Sequence, residues 1–101
     1  MIPQTPPDHC LTMTVVRAAV DALDRELVAL LARRFAYMRA AARIKPTRDA
    51  VRDEARKAAV IAAARAEAQR LGAPAERIAA LWETLVENSI AYEFEQWDAK
   101  L

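Results

Sequence analysis

Two cations interrupt an otherwise apolar helical pattern in the first half of the chain. Apolar or small residues recur at every third or fourth position from Val16 to Lys45, as on a helix face that packs against another helix. Arg34 and Lys45 belong to this pattern, and because eleven positions make about three helical turns, their side chains point the same way. A buried cation loses hydration unless an anion meets it. The pattern predicts either an anion pocket in a helical bundle, or an Arg34 that extends its head to water and a Lys45 in a solvated last turn.

The last third of the sequence places polar residues where a core is expected. An apolar stripe that ends at Leu85 continues with Ser89 and Glu93, which lie one helical turn apart on the same face. A buried carboxyl group that keeps its proton is a hydrogen-bond donor. Glu93 is therefore a candidate donor to a ligand, and the alternative is that it joins neighbouring glutamates in a solvated acidic edge.

The middle of the chain carries charged residues at helical spacing. Arg52 and Arg56 lie one turn apart with Asp53 between them, so that one carboxylate could steady two guanidinium groups. The same cluster is also typical of an exposed charged face. Arg17 precedes Arg34 by roughly 26 Å along a helix axis, so one helix cannot bring both to a small ligand. If Arg17 binds an anion, it does so in the pocket of a second copy, which indicates a dimer.

Proline and capping residues predict where the first helix begins and ends. The prolines among residues 1–13 predict an extended N-terminal arm, and residues 14–101 are expected to form one helical domain. Thr12 or Thr14 can cap a first helix that Pro46 stops. This helix would be near 45 Å long, at about 1.5 Å per residue, and its own chain would leave much of it uncovered. A two-fold dimer that shares the long helices would supply the missing cover.

Two shorter helices are expected in the rest of the chain. Asp49 is a plausible N-cap for a second helix over residues 50–71, which Gly72 and Pro74 would end. A third helix is expected over residues 75–99. The predicted fold is therefore all-α, a three-helix chain with one long first helix in an intertwined two-fold homodimer.

Composition and charge exclude several classes of function. The chain has 101 residues, 54% hydrophobic and 29% charged, with a single glycine, which favours helices. A net charge of +1 gives no basic field for nucleic acid or anionic lipid. The lone Cys10 beside the lone His9 offers no disulfide and no metal-ligand spacing, and no apolar run is long enough to span a membrane. We expect a cytoplasmic protein without a nucleic acid or membrane partner.

Taken in order, these residues resemble the small all-helical chorismate mutases, and within them the branch that contains isochorismate pyruvate lyase. The resemblance extends from Asp8 to Trp97. It rests on Val16-Arg17, Asp21-x-x-Asp24-x-x-Leu27-x-x-Leu30-x-x-Arg33-Arg34, Lys45, Val51-Arg52-Asp53-x-x-Arg56, Leu71-Gly72-Ala73-Pro74, and Ser89 with Glu93. No single motif is specific, but the ordered set at these spacings is. The segment from Arg33 to Lys45 is most similar to the lyase branch.

The resemblance implies an intertwined dimer with two equivalent sites for a dicarboxylate substrate, chorismate. In that family the position matching Arg17 reaches across from the partner chain to one carboxylate, and the position matching Arg34 holds the other. The position matching Lys45 donates to the ether oxygen and a carboxylate. The position matching Glu93 forms a hydrogen bond with the ether oxygen.

Three further positions complete the implied site, and two positions depart from the family pattern. The position matching Arg56 helps to bind the carboxylate end of the substrate. The position matching Asp53 interacts with the substrate hydroxyl, and the position matching Ser89 lies near the ring carboxylate. Glu93 stands where Gln is common, and because Glu donates only when protonated, activity is expected to fall as pH rises. Lys57 stands where some mutases place a Glu that orients the ring hydroxyl.

Three functions are compatible with the sequence. The first is a chorismate mutase that forms prephenate by fixing two carboxylates and stabilising charge on the ether oxygen, without nucleophile, metal or cofactor. The second is an isochorismate pyruvate lyase that gives salicylate and pyruvate through a similar cyclic transition state. The third is a helical dimerisation module without a ligand. Glu93 and Ser89 favour the mutase, whereas the first helix favours the lyase, so the pathway served, aromatic amino acid or salicylate synthesis, stays open.

Overall fold

The computed structural model describes residues 5–100, which form three α-helices and two short 3₁₀ turns. In chain order these are the turn Pro7–His9, α1 (Met13–Ile44), the turn Arg48–Ala50, α2 (Glu54–Arg70) and α3 (Ala75–Ala99). No strand occurs within residues 5–100, so the prediction of an all-helical chain is confirmed there.

The start of α1 is capped by a threonine side chain. Thr12 Oγ1 accepts a hydrogen bond from the backbone N–H of Val15 at 3.2 Å, which satisfies one of the donors that a helix start leaves without a partner. Residues 1–4 of the predicted N-terminal arm lie outside the described residues, and the turn Pro7–His9 lies in the remainder of the arm. At its other end α1 stops two residues before Pro46.

The start of α2 differs from the prediction. Asp53, not Asp49, is the N-cap, and its side chain accepts a hydrogen bond from the backbone N–H of Arg56 at 3.0 Å. The backbone of Asp53 is extended, with φ −134° and ψ 101°, so the helix can begin only after it. Asp49 lies instead within the preceding 3₁₀ turn, where the N–H of Val51 bonds to the carbonyl of Arg48.

The end of α2 is a glycine-terminated cap, as predicted. Gly72 has φ +71°, a conformation that residues with a Cβ rarely adopt. The Ala73 N–H donates to the Ala68 carbonyl at 2.8 Å, and the Gly72 N–H donates to the Gln69 carbonyl at 3.2 Å. This pair of bonds is the Schellman arrangement, which satisfies carbonyls at the end of a helix. The predicted third helix, 75–99, is confirmed.

The described residues fall into two compact units, one ending at Arg34 and the other beginning at Phe35. In the second unit α2 packs against α3, and the core consists of small apolar residues that are at least 94% buried. These residues are Ala42, Val51, Ala68, Ala79 and Val86. Small side chains let helices approach closely, because interaxial distance depends on the residues at the contact.

The last three turns of α1 also contact α3 within the second unit. The Phe35 and Tyr92 rings meet edge to face with centroids 5.2 Å apart, and the Arg39 guanidinium donates to the Tyr92 hydroxyl at 3.1 Å. These contacts, with buried Ala42, bring the end of α1 close to the second half of α3.

The first unit has an apolar stripe that its own chain leaves exposed. Val20, Leu23, Leu27 and Leu30 follow the predicted helical spacing, and each is between 46% and 55% exposed. A row of exposed aliphatic side chains of this kind is typical of an interaction surface.

Candidate active site

A lysine and a glutamate meet at the corner where α1 ends. Lys45 Nζ lies 2.6 Å from Glu93 Oε2, and the Glu93 side chain is only 6% exposed whereas that of Lys45 is 29% exposed. Lys45 Nζ also donates to the Val51 carbonyl at 3.4 Å. Both alternatives that placed these groups in solvent, an acidic edge for Glu93 and a solvated last turn for Lys45, are therefore wrong.

The carboxylate of this pair belongs to a buried polar stretch of α3. Ser89 and Glu93 are 3% and 4% exposed, and they are the two buried polar residues among residues 5–100. The Ser89 hydroxyl donates to the Leu85 carbonyl one turn earlier at 2.7 Å. Ser89 and Glu93 thus place a hydroxyl and a carboxyl group on one side of α3, where the Lys45 ammonium meets Glu93. An ammonium at such a position can donate hydrogen bonds to an anionic ligand.

The end of α3 makes a second set of contacts to the same corner, which the sequence analysis missed. The Trp97 indole N–H donates to the Lys45 carbonyl at 3.2 Å, and Lys100 Nζ donates to the same oxygen at 2.9 Å. Lys100 Nζ also donates to the Ala42 carbonyl at 2.9 Å. The available signal was spacing, because positions 93 and 97 lie one turn apart on one face of α3 and position 100 caps its end.

The loop after Lys45 is bound to α3 by an arginine. Arg48 makes two hydrogen bonds to the Asp98 carboxylate, at 2.9 and 3.2 Å, and its guanidinium lies 4.4 Å from the centroid of the Phe94 ring. These hydrogen bonds raise the pKa of Arg48 and lower that of Asp98. No sequence pattern linked these two residues, since they are separated by fifty positions.

The predicted charged cluster at the start of α2 is arranged differently from the expectation. Asp53 caps the helix, so the prediction that its carboxylate steadies two guanidinium groups is wrong. Arg52 pairs instead with Glu54 at 2.8 Å and with Glu87 on α3 at 2.9 Å. Arg56 is exposed in the first turn of α2, and its guanidinium forms no ion pair with another residue in the range 5–100.

Lys57 is occupied by two carboxylates of α3. Its Nζ lies 2.7 Å from Glu83 and 2.8 Å from Glu87, and these hydrogen bonds raise the pKa of Lys57. Hydrogen bonds from Arg52, and then from Lys57, lower the pKa of Glu87 to about 2. Lys57 therefore joins α2 to α3.

The two remaining predicted site residues belong to the first unit. Arg17 is exposed and Arg34 is half-buried, both on α1. Of the seven predicted residues, the second unit contains Lys45, Asp53, Arg56, Ser89 and Glu93. Of these five residues, Lys45 and Glu93 are in direct contact.

The described residues contain neither a metal-ligand cluster nor a membrane-spanning helix. No group of three or more His, Cys, Asp or Glu side chains within residues 5–100 could hold a metal ion. None of the helices found there is both long enough and apolar enough to cross a membrane.

The fold and the buried lysine–glutamate pair define an all-helical protein with a candidate anion site at a helix corner. The family model described as chorismate mutase type II matches residues 16–94, and the chain belongs to that family. The chain is also similar to a protein named isochorismate pyruvate lyase from Pseudomonas aeruginosa. The two are 29% identical over 91 residues, which cover 90% of each chain. The resemblance to the all-helical chorismate mutases is thereby confirmed.

Proposed function

We propose that this protein is a chorismate mutase that rearranges chorismate to prephenate. The observation that carries the proposal is the contact between Lys45 Nζ and the Glu93 carboxyl group in a largely buried position. Membership of the chorismate mutase type II family supports it. The reaction breaks an ether C–O bond while a C–C bond forms, so the protein must orient one dianion and stabilise charge on the ether oxygen.

Each group of the proposed site has a distinct task in this reaction. Arg34 binds one substrate carboxylate and Arg17 of the partner subunit binds the other, because a guanidinium matches a carboxylate with two hydrogen bonds. Lys45 and protonated Glu93 donate to the ether oxygen, where negative charge develops. Arg56 and Ser89 lie toward the substrate carboxylates.

Asp53 is proposed to contact the substrate hydroxyl with the carboxylate oxygen that is not used in capping α2. Its Oδ1 accepts the backbone hydrogen bond of the cap. An Asp53→Asn variant would keep an acceptor for the cap, since Asn is as good an N-cap as Asp. An activity loss in this variant would therefore report on the ligand and not on the helix.

Substrate entry changes the partner of Lys45 in this proposal. Without substrate, the Lys45 ammonium neutralises the Glu93 carboxylate at 2.6 Å. When a dianion binds, the ammonium turns to the ether oxygen and the ligand carboxylate, and Glu93 can donate to that oxygen only in its protonated form. We therefore expect activity to fall as pH rises, and Glu93→Gln, which donates at any pH, to flatten that fall.

The long first helix and the dimer are part of the same proposal. The exposed stripe of Val20, Leu23, Leu27 and Leu30 would be covered by the same stripe of a second copy, as in a two-fold interface. Sedimentation velocity should show a dimer at micromolar concentration. A monomer would contradict the shared helices.

The contribution of Arg17 across the interface can be tested by mixing two inactive variants. In a heterodimer of Arg17→Ala and Lys45→Met chains, one site would carry both changes and the other would be intact. After co-refolding of an equal mixture, about a quarter of the sites, and hence of the wild-type activity, should return. No recovery would mean that Arg17 acts in the site of its own chain.

The second candidate is an isochorismate pyruvate lyase, which the Pseudomonas relative favours. This reaction breaks the corresponding ether bond in isochorismate and releases salicylate and pyruvate, so the same donors would serve. The purified protein should be offered chorismate and isochorismate separately, with prephenate and salicylate fluorescence as readouts. Prephenate without salicylate supports the mutase, and the reverse supports the lyase.

The third candidate, a helical module without a ligand, is separated from both enzymes by one substitution. For an enzyme, Arg34→Ala should lower kcat/KM at least 100-fold, about 3 kcal/mol of transition-state stabilisation, and keep the helical content. Arg65→Met, which removes an exposed pair with Glu76 on α2 and α3, is the matched control and should keep full activity. Turnover of neither substrate, or full activity in Arg34→Ala, would overturn the enzymatic proposal.

A further inference from the structure

Residue Lys45 is held at both ends by the end of α3 and the residue that follows it. Its ammonium contacts Glu93 at 2.6 Å, and its carbonyl oxygen accepts from Trp97 Nε1 at 3.2 Å and from Lys100 Nζ at 2.9 Å. Glu93 and Trp97 lie one turn apart on α3, and Lys100 is the C-cap of this helix, whose backbone N–H donates to the Trp97 carbonyl. The side chain and the backbone of the lysine are therefore both bound by residues at the end of one helix.

The backbone contacts have a physical reason at this position. The last carbonyls of a helix have no intrahelical partner, and Pro46, which follows Lys45, has no N–H to offer. Lys100 donates to two of these carbonyls, those of Ala42 and Lys45, and a cation is favourable at the negative end of the helix dipole. Its ammonium also lies 4.7 Å from the centroid of the Trp97 ring, so the two donors support each other.

We propose that Trp97 and Lys100 are positioning residues for Lys45, which set the location of its ammonium through its carbonyl. This inference rests on the proposed function. A lysine side chain has four rotatable bonds and does not fix the location of its own ammonium. That location therefore depends on where the backbone holds the Cα atom. A displacement of about 1 Å in a catalytic donor can lower a rate by as much as 100-fold.

Two substitutions remove the donors and keep the packing. Trp97→Phe keeps an aromatic ring beneath Lys100 and removes the N–H, and Lys100→Met keeps the chain length and removes the ammonium. Each should lower kcat about tenfold with KM changed less than about twofold, since the substrate carboxylates are bound elsewhere. Lys100→Arg, which keeps a cationic donor, should restore kcat to within about twofold of wild type.

A helix cap that affects only stability would give a different pattern. The decisive measurement adds Trp97→Phe to Lys45→Met. If Trp97 acts through the Lys45 ammonium, the residual kcat of the Lys45→Met protein should not fall further, while its urea midpoint should still shift as it does in the wild-type background. Trp82→Phe, the same change at the other tryptophan of α3, is the matched control and should leave kcat unchanged.

The possible outcomes separate this inference from the function on which it depends. Full kcat in both Trp97→Phe and Lys100→Met, or an equal loss in the presence and absence of the Lys45 ammonium, overturns the positioning role alone. A wild-type protein that turns over neither chorismate nor isochorismate overturns the proposed function and this inference with it. A kcat loss that requires Lys45 and is rescued by Lys100→Arg supports both.

Discussion

Replacing Lys45 with Met should destabilise the protein, because it breaks a largely buried ion pair. The substitution leaves Glu93, whose side chain is 6% exposed, without the ammonium at 2.6 Å. A buried carboxylate without a cation has lost hydration and gains no compensating interaction. The loss of stability should therefore exceed that caused by breaking an exposed pair.

The size of the effect follows from the burial of the pair. Removing one partner of a buried ion pair costs about 3–5 kcal/mol, whereas an exposed pair contributes about 0–1 kcal/mol. Because the Lys45 side chain is 29% exposed, we expect the free energy of unfolding to fall by about 3 kcal/mol, at the lower end of this range.

Urea unfolding followed by circular dichroism at pH 7 measures this difference. The protein concentration must be the same throughout, since association would otherwise shift the midpoint. Glu93→Gln leaves no buried charge on α3 and should cost less than about 1 kcal/mol, and Arg65→Met, which removes an exposed pair, less than about 0.5 kcal/mol. A loss in Lys45→Met as small as that in Arg65→Met would refute the reasoning, because it would mean that Glu93 carries no uncompensated charge there.

Two further predictions concern stability away from the site. Glu87→Gln should remove part of the acid sensitivity of the protein, because Arg52 and Lys57 lower the pKa of Glu87 from 4.5 to about 2, and the stabilisation present above pH 4.5 is lost as pH falls toward 2. Thermal unfolding at pH 5 and pH 2.5 tests this, and parallel losses in both proteins would contradict it. Gly72→Ala should cost about 1–2 kcal/mol in urea unfolding through the positive φ alone, since no atom lies within 4 Å of the added Cβ. Gly72→Asn should cost less, and an equal loss in both variants would count against this cause.

The sequence predicted helix ends where one residue type has a single physical role. Gly72 can adopt a positive φ without strain, so its place after α2 and the start of α3 at residue 75 followed directly. The start of α2 could not be predicted in this way, because Asp49 and Asp53 are equally good caps by residue type. The buried apolar side chain of Val51 lies between them, Asp49 lies within the 3₁₀ turn Arg48–Ala50, and the backbone of Asp53 is extended.

The candidate site was predictable in its residue types but not in its pairings. Helical spacing placed Ser89 and Glu93 on a core-facing side, and both are buried. Which cation meets which carboxylate depends on how α1 and α3 pack, and a sequence pattern within one helix carries no information on that. The contacts of Trp97 and Lys100 with the end of α1 were missed for this reason.

The contacts around Lys45, like the others that join the end of α1 and the following loop to α3, connect residues far apart along the chain. Helical hydrogen bonds join neighbours four residues apart, whereas the contacts of Lys45 with Glu93 and Trp97 close loops of 48 and 52 residues. Closing such loops costs chain entropy before any contact is gained, so we infer that helices form early in folding and this corner last. Pulsed hydrogen exchange during refolding would then protect the amides of α3 before those of residues 45–51. The chain would acquire its secondary structure first and its catalytic competence only at the final step of folding.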